Sequence, residues 1–274
     1  MEPDSTNPLP GEPPSPLPPP ANGAPRAIPL FVPWARPAAP PSARTPTGMD
    51  LLVALALIWG FELVAGFGFV VALAGTNAAA EVTTLFSPYP VFALAVTALS
   101  LLFALIVSWY FLCHKYRKPF TEGFALHAVR LRSILVSVLL AAGGMLVGVC
   151  VLDGQEPDDS PLAHMVSTPL GALAFMAWAV IVPPLEELYY RGFLYPVLEK
   201  YIGTVAAIII VSAWFAAMHA IQLRGAWMGL AVVAAMGTLF TLQRCLTRSL
   251  VPSILTHWLY NALVVFVAPF LVTP

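Results

Sequence analysis

Charged side chains make up only 10% of the 274 residues, while 59% are hydrophobic; an average soluble domain is about a quarter charged. So little charge over so much apolar surface excludes a single soluble domain. With 13 Lys and Arg against 14 Asp and Glu, the net charge of −1 offers no field for a polyanion, so nucleic acid is not an expected partner. Three cysteines, Cys113, Cys150 and Cys245, are an odd number without metal-ligand spacing, which argues against a full disulfide framework. The chain also lacks a Walker A run, a G-x-S-x-G elbow and an H-E-x-x-H pair, and no Ser or Cys stands out as a nucleophile. No period of 20 to 50 residues repeats, which weakens a transporter reading built on matching halves.

Proline and long apolar runs are what the chain does have. Of its 28 prolines, 16 fall in residues 1–48, which also hold 6 of the 27 charged residues. Runs such as Pro18-Pro19-Pro20 bias the backbone to polyproline II and leave little to bury, so this stretch is expected to be a disordered cytoplasmic tail acting as a tether. It lacks the basic region and apolar core of a secretory signal, so export is not expected. Residues 49–274 are expected to form a membrane domain.

A helix needs roughly 20 apolar residues to cross a bilayer core. Seven stretches qualify, at about 51–74, 90–113, 133–152, 166–183, 203–223, 226–243 and 250–271. The intervening 185–201 could be a buried helix, making eight. The runs are continuous rather than alternating, which excludes a membrane barrel and predicts an all-α, multi-pass integral membrane protein. With seven spans, 12 of the 13 cations fall on one side and Arg224 on the other, where the loops carry Glu81, Asp153, Glu156, Asp158 and Asp159. The positive-inside rule then predicts a cytoplasmic amino terminus.

An ionisable group at membrane depth costs about 2.5 kcal/mol or more, so each calls for a reason. In Pro183-Pro184-Leu-Glu186-Glu187-Leu-Tyr-Tyr-Arg191, the prolines can close one helix and open another, placing the glutamates in a first turn. Glu187 and Arg191, four apart, can pair; Glu186 is left over. Phe215 and His219 share a helix face, so the ring could buttress the imidazole. His257 and Asn261 share one too, as two neutral donors suited to a developing oxyanion. Glu62, in the first span, has no sequence neighbour to partner it and is expected to be structural. A carboxylate beside a histidine can hydrolyse by activating water.

Taken in order, Glu186-Glu187-x-x-x-Arg191, Phe215-x-x-x-His219 and His257-x-x-x-Asn261 resemble the marks of the CAAX protease and bacteriocin-processing (CPBP, or Abi) family of intramembrane endopeptidases. The resemblance covers about residues 166–265. It implies that Glu186 and His219 activate a water, that His257 and Asn261 stabilise the oxyanion, and that Arg191 orients the glutamates, through Glu187. It implies a protein or peptide substrate, possibly lipidated, met among membrane lipids, and no cofactor. Two alternatives stay open: a zinc-dependent version with Glu186, His219 and His257 as ligands, and a non-catalytic scaffold or immunity protein that keeps the cavity.

Overall fold

A computed structural model describes residues 45–74, 90–152, 169–220, 223 and 226–271. Residues 1–44 of the Pro-rich tail, the acidic loop residues and Arg224 lie outside them. Among the described residues every regular element is helical. The order is α1 (Gly48–Ala74), α2 (Pro90–Trp109), α3 (Phe120–Gly123), α4 (Leu131–Leu152), α5 (Pro169–Glu187), α6 (Tyr195–Ile202), α7 (Thr204–His219), α8 (Trp227–Thr247) and α9 (Val251–Phe266). Five helical segments are long and apolar enough to cross a membrane, and α7 and α9 are shorter apolar helices. Their outward faces stay apolar, with Leu63, Val64, Phe67 and Leu139 largely exposed, as a lipid solvent permits.

Local chemistry sets the boundaries. Thr47 and Asp50 form a reciprocal capping box: the Asp50 N–H donates to Thr47 Oγ1 at 3.2 Å and the Thr47 N–H to Asp50 Oδ2 at 2.8 Å. Gly203, with φ +81°, turns the chain between α6 and α7 in a conformation open to glycine.

The two prolines do not break the chain. Pro183 and Pro184 lie inside α5, and the helix runs on from Gly171 to Ile202 through a π-helical stretch at Leu188–Leu194. Inside a membrane bundle, local π adjustments and neighbouring helices can re-satisfy the backbone groups that proline frees. The stretch 185–201 therefore continues the fourth helical segment instead of standing as a separate helix. The glutamates sit at the end of α5 and not in a first turn, so an N-terminal dipole is not what holds them.

The wide π turn is tightly packed. A Cβ on Gly192 would lie 2.8 Å from Phe124 Cδ1 and 3.3 Å from Leu250 Cδ2, both on buried side chains. Gly192→Ala is expected to cost about 1–3 kcal/mol by overpacking, measurable as a lower thermal midpoint of the detergent-solubilised protein.

One end of the bundle gathers several termini. Asp50, at the start of α1, binds Lys115 and the Tyr116 hydroxyl just beyond α2. Burial and the Asp50 carboxylate push the Tyr116 phenol up to about 12, so it stays a donor at neutral pH. Lys200, at the end of α6, donates to Thr45 Oγ1 (3.1 Å) and the Pro46 carbonyl (2.8 Å). Arg248, at the turn after α8, pairs with Glu199 at 3.0 Å. The Ser249 hydroxyl donates to the His127 carbonyl, and the Leu250 N–H to that of Ala125. Behind this end, α9 packs on α4, α5 and α8, and α7 on α6 and α8.

Candidate active site

The π turn carries Arg191 into the centre of the bundle, where it is fully buried with Glu187. Arg191 uses each nitrogen of its fork: Nη1 donates to Glu187 Oε1 (2.7 Å), Nη2 to the Gly237 carbonyl (2.7 Å) and Nε to Thr241 Oγ1 (3.1 Å). Its guanidinium carbon lies 4.5 Å from the centre of the Phe215 ring and 5.4 Å from that of Phe240. A charge so enclosed is tolerable only because it is paired and hydrogen-bonded at each nitrogen. Arg191, counted among the loop cations in the sequence, is thus no loop residue; Arg244, within α8, is buried as well.

Glu187 Oε1 also accepts from His257 Nδ1 at 2.9 Å. A carboxylate cannot donate, so the Nδ1 proton is fixed and Nε2 points the other way. There Glu186 Oε2 lies 3.8 Å from Nε2, and the Glu186 side chain is 18% exposed. One imidazole is thus held between two carboxylates, one fully buried, the other partly exposed. The His257 ring stacks on Phe240 at 4.5 Å and meets Phe215 edge-on at 5.6 Å. This corrects the reading of His257 as a neutral donor: with Nδ1 committed to Glu187, Nε2 donates only from the doubly protonated ring.

His219 closes α7. Its Nδ1 donates to the Phe215 carbonyl at 2.8 Å, leaving Nε2 with a free lone pair in the neutral ring. The Phe215 ring packs on it at 4.6 Å, the buttress expected from the i, i+4 spacing. Phe215 touches both histidines and the guanidinium. Among the described residues no hydrogen bond or ion pair joins Glu186 to His219. Asn261 sits half-buried one turn beyond His257. No three His, Cys, Asp or Glu side chains among the described residues are gathered as a metal set.

Gly237, Phe240 and Thr241 were missed in the sequence. They lie on α8, an apolar helix with no motif, and their i, i+3, i+4 spacing is that of any buried face. Glu62 makes no ion pair with the cluster among the described residues, but it is an electrostatic neighbour of Tyr189 and Tyr190 on the π-helical stretch.

Residues 168–263 match the family model described as type II CAAX prenyl endopeptidase, Rce1-like. That segment is similar to the Rce1-like family. No curated protein and no solved structure matches the chain. The Rce1-like segment runs from just before α5 into α9, so it holds all three motifs and the Gly237–Thr241 anchor. It leaves out α1, α2 and α4. The resemblance read from the motifs and the Rce1-like match fall on the same stretch of chain.

Proposed function

We propose that this protein is an intramembrane endopeptidase of the CAAX protease type. The observation that carries the reading is the pair of carboxylates on one imidazole, Glu187 fixing His257 from within and the partly exposed Glu186 facing its other nitrogen. Glu186, assisted by the free Nε2 of His219, takes a proton from a water as its oxygen attacks the scissile carbonyl carbon. His257, with Asn261, stabilises the oxyanion. Collapse breaks the C–N bond, and the proton held by Glu186 passes to the leaving amine. Arg191 acts only through Glu187, as a positioning residue. The substrate we favour is a prenylated protein ending in C-a-a-X.

The clustering of Lys115, Lys118, Lys200 and Arg248 with the start of α1 supports a cytoplasmic amino terminus. The substrate would then be met from the cytoplasmic face.

The full chain in lipid vesicles is expected to release the last three residues from a farnesylated C-a-a-X peptide, read by mass spectrometry, and to spare the unprenylated peptide. Failure to cleave any such peptide would refute the reading. Chelator treatment separates the zinc version: water activated by Glu186 and His219 survives chelation, whereas stoichiometric zinc whose removal stops cleavage would make these residues ligands. A scaffold would act in cells with Glu186→Gln as with wild type.

A further inference from the structure

We propose that the end of α2 binds the headgroup of an anionic phospholipid. Where the apolar span Val96–His114 stops, a cleft of about 540 Å3 opens, lined by Trp109, Tyr110, His114, Lys115, Arg117 and Lys118 among others. Three cations thus ring a cavity at the depth where headgroups lie. Two carboxylates stand near them. Asp50 engages Lys115. Glu122, itself largely exposed, reaches Lys118 only loosely, at 3.7 Å. Arg117 is exposed and has no ion-pair partner among the described residues.

Two further observations point to a lipid rather than a soluble phosphate. First, Leu99, Leu102, Ile106 and Trp109 lie three or four residues apart on α2 and are each about half exposed, so an apolar track long enough for an acyl chain leads directly into the cleft. Trp109 and Tyr110 at its mouth are the rings that favour the interface. Second, Arg117 holds a left-handed conformation, φ 53°, at the turn that ends α2, with the Lys118 N–H closing back on the Cys113 carbonyl at 2.9 Å. Glycine suits this position, and a non-glycine residue there is strained. The chain instead keeps an arginine that lines the cleft, and accepts the strain.

That geometry supplies a variant in which charge and fold separate. Arg117→Gly removes the cation and relieves the backbone, so without lipid its thermal midpoint should equal or exceed that of wild type. Lys118→Gln is a second variant that leaves the turn untouched. Delipidated full-length protein in detergent, titrated by native mass spectrometry with dioleoyl phosphatidylglycerol or dioleoyl phosphatidylcholine, should prefer the anionic lipid by about tenfold, and each variant should cut that preference by about fivefold. Equal occupancy by the two lipids, or an unchanged preference in both variants, overturns the proposal. So does inorganic phosphate that displaces the anionic lipid at equal concentration, since the site would then hold a free anion. The proposal does not depend on the peptidase reading.

Discussion

Glu186→Gln is expected to reduce cleavage of a prenylated peptide by about 10³-fold or more while leaving the protein folded. A general base contributes about 10²–10⁴-fold, and the same carboxylate carries the proton to the leaving amine, so the amide loses both steps. The fold should not notice. The Glu186 side chain makes no hydrogen bond among the described residues, His257 Nε2 lies 3.8 Å from it, and it is partly exposed. Thermal midpoints within a degree or two of wild type, with cleavage near background, are the expected pair of results. His219→Ala should follow it in cleavage, since its Nε2 lone pair goes with the ring. Wild-type cleavage by a folded Glu186→Gln protein would end the general-base assignment.

Arg191→Ala is expected to do the opposite first, damaging the fold and with it the chemistry. Removing one partner of a fully buried ion pair costs about 3–5 kcal/mol, because the remaining charge is stranded. Here the stranded group is Glu187, and the space emptied lies against Phe215 and Phe240. His257 then loses the fixed acceptor that sets its tautomer. Arg191→Lys keeps the charge but not the fork: an ammonium that reaches Glu187 gives up the guanidinium's bonds to the Gly237 carbonyl and Thr241, which keep only the hydrogen bond they make to each other. It should give intermediate stability and impaired cleavage. The neutral pair Glu187→Gln with Arg191→Met should recover stability relative to Arg191→Ala and still not cleave, which separates a positioning role from a merely structural one. Unfolding in detergent and peptide cleavage on the same preparations read both effects. A single Arg191→Ala variant as stable as wild type would remove this account of the buried pair.

Much of this was legible in the sequence, and the parts that were not have physical causes. Apolar run length located the helices, because length against bilayer thickness is a one-dimensional criterion. The i, i+4 spacings correctly paired Glu187 with Arg191 and Phe215 with His219, since both are local to one helix. Pro183-Pro184 misled, because in water such a pair ends a helix, whereas inside the bundle α5 continues as a π turn. The His257 tautomer was illegible: it depends on Glu187, 70 residues away in sequence. Gly237 and Thr241 were hidden for the same reason, as a carbonyl and a hydroxyl on an apolar helix signal nothing until a guanidinium from another helix reaches them.

The two helices that deliver His219 and His257 are also apolar helices shorter than the five spanning segments, 16 residues each. At 1.5 Å per residue each covers about 24 Å, some 6 Å less than a typical hydrocarbon core. Such hydrophobic mismatch is relieved by drawing the leaflets together. Local thinning of the bilayer beside α7 and α9 is the expected response, and it would draw the aqueous boundary towards the two histidines. On the proposed peptidase reading, which needs water and a polar peptide at one point, cleavage is therefore expected to vary with acyl-chain length in the host membrane.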